Sequence, residues 1–301
     1  MGTVKSEKLG EFTLIDWIRK SCFCSRDVKK GIGDDTAVLP FSAKKDMLLT
    51  TDMSVEGVHF TRTTLPELIG RKALARNLSD IAAMGGVPTY AVISLGLPKN
   101  TKTAYVQKIY HGINKLAKQF SVSIVGGDTV KSPKIILNIA LLGKVTKAKA
   151  VLRSGAKPGD QIFLTGYVGG SLKSGRHLTF TPRLKEAQDI VKHFHPTAMI
   201  DVSDGLTGDL GHILKESGVG AVLDAQCIPL HHGVDLKAGL YDGEDFELIF
   251  TVKRVDAPKL LRSKTYMFHH IGRITKNKNK LYLADTNGKT ILLTAKGFTH
   301  F

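Results

Sequence analysis

The chain has 301 residues, room for two domains of ordinary size. Its 42% hydrophobic and 23% charged residues are typical of a soluble globular protein and argue against a disordered or fibrous chain. Against 27 Asp and Glu stand 43 Lys and Arg, a net charge of +16 that attracts polyanions such as nucleotides and phosphorylated metabolites.

From the N-terminus, Met1 to Ser6 is polar and does not read as a secretion signal. Cys22 and Cys24 are too close for a comfortable bridge, and Cys227 is far off in sequence. That usage suits a reducing compartment, so a cytoplasmic location is expected. Met47 to Thr51 reads as a buried strand. Leu65 to Met84 reads as a helix stopped by Gly85, Gly86 and Pro88. Tyr90 to Leu97 alternates like a strand. Ile109, Ile113, Leu116 and Phe120 form the stripe of an amphipathic helix over Thr101 to Phe120. Ser123 to Val125 and Ile135 to Leu142 read as strands. The longest apolar stretch, Ile135 to Gly143, is broken by Asn138 and is far short of the roughly 20 residues of a membrane span.

A basic segment, Lys144 to Lys157, leads into the turn Pro158-Gly159-Asp160, and a domain boundary is expected near Thr146. Beyond it come a strand (Gln161 to Thr165), a glycine-rich loop (Gly166 to Gly175) and a helix (Leu184 to His193). A strand ending at Asp201 runs into a helix with Leu206, Leu210, Ile213 and Leu214 on one face. Glu247 to Val252 and Met267 to Ile274 read as strands, and Lys276 to Lys280 as a hairpin tip. The alternation gives an α/β (α+β) class with residues 1–146 and 147–301 as its two domains. The Lys276, Lys278 and Lys280 cluster has no interleaved aromatics, so no nucleic-acid groove is expected.

In a chain short of acids, aspartates recur beside glycines or at strand ends. They occur in Gly31-Ile32-Gly33-Asp34-Asp35, Thr50-Thr51-Asp52 and Asn77-Leu78-Ser79-Asp80. They occur again in Gly126-Gly127-Asp128-Thr129, Asp201-Val202-Ser203-Asp204-Gly205 and Gly243-Glu244-Asp245. Any one of them could be a turn residue or a helix cap. Asp80 is the exception, because its helix is otherwise rich in Ala, Leu and Ile, and a mid-helix carboxylate there needs a partner. Carboxylates with hydroxyl neighbours (Thr50, Thr51, Ser203) are the oxygen ligands that Mg²⁺ takes. Several such ions beside glycine loops imply polyphosphate, hence phosphoryl transfer or ATP hydrolysis. There is no Walker loop, no protein-kinase motif set and no GxSxG elbow.

These segments, in this order, resemble the thiamine-monophosphate kinase family of the aminoimidazole-ribonucleotide-synthetase-like ATP-binding superfamily. The resemblance runs from Gly10-Glu11-Phe12 to Gly297-Phe298-Thr299-His300-Phe301 and includes Arg153 to Asp160 and Gly243 to Leu248. It implies ATP-dependent phosphorylation of thiamine monophosphate (TMP) to thiamine diphosphate, by direct transfer of the γ-phosphoryl group. It implies Mg²⁺ ligands at Asp34, Thr50, Thr51, Asp52, Asp80, Asp128, Asp201 and Asp204, with Asp80, Asp128 and Asp204 catalytic. ATP contacts would fall on Gly127, Asp128, Arg153, Ser203 and Tyr110, and TMP contacts on His59 and Glu244. The resemblance also implies an N-terminal domain that dimerises through its sheet, beside a C-terminal α/β domain.

One departure stands out. Where the family often places an aromatic before its final Lys-Gly-aromatic segment, this chain has Ala295, so either another aromatic such as Phe298 meets the thiamine ring or the ring is bound more weakly. Other superfamily activities fit less well. Cys22 to Ser25 lacks the glycine and lysine of a selenophosphate synthetase, and the chain ends in Phe301 rather than in a carbamoyl-accepting cysteine.

Overall fold

The computed structural model describes residues 11–263, 265–295 and 297–298. The N-terminal Met1 to Ser6 and, in the closing motif, Lys296 and Thr299 to Phe301 lie outside these residues. Helix α1 (Glu11–Ser21) is followed by strands β1 (Ala37–Pro40) and β2 (Lys45–Val55), helix α2 (Pro66–Ala83) and strand β3 (Val87–Leu97). Helix α3 (Thr103–Gln119) and strands β4 (Ser123–Lys131) and β5 (Ile136–Thr146) complete the first half. Its sheet runs β1-β2-β5-β3-β4. The β3–β4 pair, joined by α3, is parallel, and the other pairs are antiparallel.

Alternation decides which face each residue takes. Along β2, Asp46, Leu48, Thr50 and Ser54 are buried, while Leu49, Thr51 and Met53 are exposed. The buried face packs under α2 and α3, which approach closely because Gly70 and Gly112 lie between them. A Cβ on Gly112 would sit 1.9 Å from the Glu67 carbonyl oxygen. The opposite face stays open and carries Leu49, Met53, Tyr90 and Val92.

The second half holds β6 (Gln161–Leu164), α4 (Ser171–Ser174), α5 (Leu184–His193), β7 (Ala198–Asp201), α6 (Leu206–Ser217) and β8 (Gly220–Asp224). It continues with α7 (Leu236–Tyr241), β9 (Leu248–Val252), α8 (Ala257–Leu261), β10 (His269–Thr275), β11 (Leu281–Ala284) and β12 (Thr290–Leu293). The order of this sheet is β12-β11-β8-β10-β6-β9-β7. One apolar core joins the halves, combining Ile69, Leu74 and Ile139 with Phe163, Ile190 and Phe250. A second core lies between the later sheet and α6. The two halves are therefore packed together, so side chains from both can converge. Among the described residues, no helix is long and apolar enough to cross a membrane.

Most expected elements form, with shifted ends. Thr50-Thr51-Asp52 lies inside β2 rather than at its close, and Gly126 to Thr129 lies inside β4 rather than after it. Both strands run on because neighbouring strands supply hydrogen bonds to their backbones. Residues 276–280 are not a hairpin tip, because β8 lies between β10 and β11. They pass over the start of β8, where the Asn279 amide donates to the Val219 carbonyl. A Cβ on Gly220 would lie 2.1 Å from the Asn277 carbonyl oxygen, so only glycine fits that passage.

Candidate functional site

Two neighbouring cavities lie where the halves meet. The first, of about 370 Å³, is walled by Asp34 and Asp35 before β1, Thr50, Thr51 and Asp52 of β2, and Asp80 of α2. Arg153 and the turn after β7, with Ser203 and Asp204, close it from the other half. Helix α1 covers its rim with Glu11, Ile15 and Arg19, held by Arg19–Glu216 and Lys215–Asp16 ion pairs of 3.3 Å each. The second cavity, about 120 Å³, is lined by Val58, His59, Leu172, Glu244, Phe246 and Phe298. Arg76, Ser203 and Asp204 belong to both walls.

Carboxylate oxygens of Asp35, Asp80 and Asp201 lie within 4.8 Å of one another. Each comes from a different element: the glycine loop before β1, the last turn of α2 and the end of β7. Burial, and then the charges of Asp52, Asp201 and Asp35, raise the Asp80 carboxyl well above the usual carboxylate range. Burial and the Asp35 charge push Asp201 up to about 8. Such crowding is unfavourable without a counter-charge. Local bonds hold the group in place: Thr50 Oγ1 donates to Asp80 at 2.6 Å, and Ser79 Oγ donates to Asp201 at 2.6 Å. Arg153 grips both oxygens of Asp35, at 2.8 and 3.2 Å. An oxygen-rich set with excess negative charge fits a hard divalent cation such as Mg²⁺.

The other expected ligands divide. Asp34 lines the cavity, but its carboxylate accepts the Arg153 amide at 3.2 Å and pairs with Lys30 at 3.2 Å. Burial and Asp35 push it up to about 6. Asp52 lines the cavity and pairs with Arg76 at 3.3 Å. Thr51 lines it too, yet its hydroxyl donates to Asn138 at 3.2 Å, so it faces the open side of the sheet. Asp204 sits at the junction, and its backbone oxygen accepts the Phe298 amide at 3.0 Å.

Asp128, Gly127 and Tyr110 belong to neither cavity wall. Asp128 is opposite Ser94 in the register and so shares the open face. Thr51 aligns with Ala140, Ala140 with Val92, and Val92 with Gly126, so β4 lies three strand spacings from Thr51, roughly 14 Å. Asp128 and Asp80 therefore do not meet around one ion within a single chain. Gly127 is required by the fold itself, since a Cβ there would lie 1.9 Å from the Ile93 oxygen. Tyr110 packs against the apolar core from α3.

His59 and Glu244 do meet. The Val55 amide donates to His59 Nδ1 at 3.1 Å, which leaves the proton of the neutral ring on Nε2. Glu244 stands at φ +64° and Phe246 at φ +53°, left-handed positions rare for side chains of this size. The turn is held because the Glu244 amide bonds the Ser203 oxygen at 2.7 Å and the Phe246 amide bonds the Val202 oxygen at 2.8 Å. Ala295 packs near Gly211 of α6, whereas Phe298 lines the second cavity.

Reading the sequence missed three residues. Asp35 stands beside the assigned Asp34 and is the member of that pair that joins the cluster. Lys72 and Arg76 precede Asp80 by eight and four residues on α2, one stripe of a helix. That spacing was available in the sequence as a signal.

A carboxylate cluster between a half-open sheet and a packed α/β half, beside a small pocket, fits the class of proteins that handle phosphate through a bound cation. Residues 33–145 match the family described as AIR synthase related protein, N-terminal domain. The thiamine-monophosphate kinase of Aquifex aeolicus is 34% identical, with 99% of this chain and 100% of the relative covered. The Escherichia coli K12 enzyme of the same name is 34% identical, with 97% and 98% covered. A solved structure of AaThiL complexed with AMPPCP and TMP is 33% identical, has a TM-score of 0.86 and covers 100% of both chains. The chain belongs to the thiamine-monophosphate kinase family.

Proposed function

We propose that this protein transfers the γ-phosphoryl group of ATP to the phosphate of TMP, giving ADP and thiamine diphosphate. The observation that carries the reading is the wall of Arg76, Ser203 and Asp204 that the two cavities share. A donor in the carboxylate cavity and an acceptor in the His59–Glu244 cavity would meet there. The likeness to a structure complexed with AMPPCP and TMP supports the choice of both molecules.

Asp35, Asp80 and Asp201 would hold Mg²⁺, with Asp52, Asp34 and Asp204 around them. The bound cation supplies charge neutralisation for the polyphosphate. The chain's own groups do the rest. The His59 ring presents an N–H to an acceptor phosphate oxygen, and Glu244 places a carboxylate for the cationic thiazolium ring. Phe298 and Phe246 offer apolar walls to the organic rings. Arg76, between Asp52 and the junction, brings a guanidinium to the point where two anions must approach. Each cluster aspartate is crowded by like charge or tied to a donor, so direct transfer is favoured over a phosphoaspartate.

Residues 1–146 and 147–301 are proposed as two domains, supported by the change of sheet between Thr146 and Gln161. A homodimer through the open face of the first sheet is proposed as well. Leu49, Met53, Tyr90 and Val92 stand half-exposed there, and Asp128 and Gly126 flank them. Gly127 and Asp128 of β4 then serve nucleotide binding only as parts of that assembly.

The test is an assay with ATP, Mg²⁺ and a panel of phosphorylated acceptors. TMP should be turned over far faster than other monophosphates, and free thiamine hardly at all, because its hydroxyl falls short of the γ-phosphorus. Equal use of thiamine would overturn the acceptor assignment.

A further inference from the structure

Helix α2 carries a lysine that is 1% exposed, beneath the wall of the second cavity. Lys72 Nζ donates to the backbone oxygen of His59 at 2.8 Å and lies 2.6 and 2.8 Å from the two oxygens of Glu244. A buried ammonium with no partners would be very unfavourable, and among the described residues its two partners both belong to the cavity wall. Burial pulls the Lys72 pKa down from its ordinary value, and the Glu244 carboxylate works against that pull.

The two partners come from opposite halves of the protein. His59 lies in the turn after β2, and Glu244 lies in the left-handed turn before β9. Each turn is held by backbone bonds within its own half, and Lys72 ties the one to the other. We propose that Lys72 is a positioning residue that locks the two acceptor-binding side chains into one geometry. The assignment rests on the reading of His59 and Glu244 as TMP contacts.

Its place on the helix extends the argument. Lys72, Arg76 and Asp80 fall at i, i+4 and i+8, so they share one stripe of α2. Eight residues span about 12 Å of helix. Lys72 lies under the acceptor cavity, Arg76 at the junction of the cavities and Asp80 in the carboxylate cluster. One rigid helix therefore sets the distance between acceptor and donor, with the Lys72 bonds as its acceptor end. A general packing lysine would support the fold alone, whereas this one is expected to act on one substrate.

The experiment compares Lys72→Met, Lys72→Arg, His59→Asn and Glu244→Gln in the full-length protein, with steady-state kinetics for ATP and for TMP and a thermal melt. Methionine matches the lysine stem and removes the ammonium. Lys72→Met should raise the TMP KM about 10-fold or more, the effect of one charge-assisted contact, with the ATP KM within about twofold. Lys72→Arg keeps the charge and should recover part of the loss. Adding Glu244→Gln to Lys72→Met should cost less than Glu244→Gln costs alone, since the two act as one unit. A TMP KM within about twofold of the parent would overturn the proposal, as would ATP and TMP KM values rising together with a large fall in Tm. If Lys72→Met does not fold, Lys72→Gln carries the same comparison. If His59→Asn and Glu244→Gln leave the TMP KM unchanged, the acceptor-cavity reading falls and takes the Lys72 assignment with it. If they raise it while Lys72→Met does not, only the Lys72 assignment falls.

Discussion

Asp80 is stabilised by one hydroxyl and opposed by three carboxylates. Its position is poor for folding and good for holding a cation, which gives its substitution two opposite effects. Asp80→Asn should lower turnover by about 10²-fold or more, since charge neutralisation dominates this chemistry. The same change should raise the melting temperature in EDTA by a few degrees, because a buried like charge is removed. A folded-state pKa above the ordinary value of about 4 means that the charge is unfavourable only once pH rises past that value. The gain should therefore shrink in acid buffer and grow toward neutral pH. Initial rates and paired melts in EDTA check both halves, and an apo variant less stable than its parent would sink the crowding argument.

Helix α2 carries the stripe from Lys72 to Asp80, so its seat on α3 matters to the site. Gly70 and Gly112 set that seat, and Gly112 leaves no room for a methyl group beside the Glu67 carbonyl. Gly112→Ala should destabilise the protein by about 1–3 kcal/mol, read as a drop of several degrees in Tm. A Tm within a degree of the parent would mean that the helices reseat without strain. Elements like α2 were legible because apolar spacing and the stop at Gly85-Gly86 are local signals. The run of 276–280 was not, since a hairpin and a passage over β8 have the same turn residues and differ only in which strands pair. Likewise Asp80 could be read as a ligand from its apolar helix, while the choice between Asp34 and Asp35 depended on the side to which the loop turns. Asp128 lay beyond reading, because three strand spacings separate its strand from β2, whose Thr50 bonds Asp80.

On the scale of the molecule, the open sheet face and the cavities make separate claims. The face holds Leu49, Met53, Tyr90 and Val92 in an array that a monomer gains nothing by exposing. If a second copy covers it, Tyr90→Lys should shift the protein to a monomer by light scattering and weaken ATP use together with it. A Tyr90→Lys protein that remains dimeric would place the interface elsewhere. Within one chain the two cavities still bring donor and acceptor sites side by side, for they share Arg76, Ser203 and Asp204.

The most direct measurement of that chemistry follows the γ-phosphoryl group itself. Protein, Mg²⁺ and γ-labelled ATP are incubated with and without TMP, and label is counted on protein, inorganic phosphate and thiamine diphosphate. Direct transfer across the shared wall of the cavities places the label on thiamine diphosphate, with TMP required and none retained on the denatured protein. Label held on the protein and discharged by TMP would contradict direct transfer, and label released only as inorganic phosphate would contradict the kinase assignment.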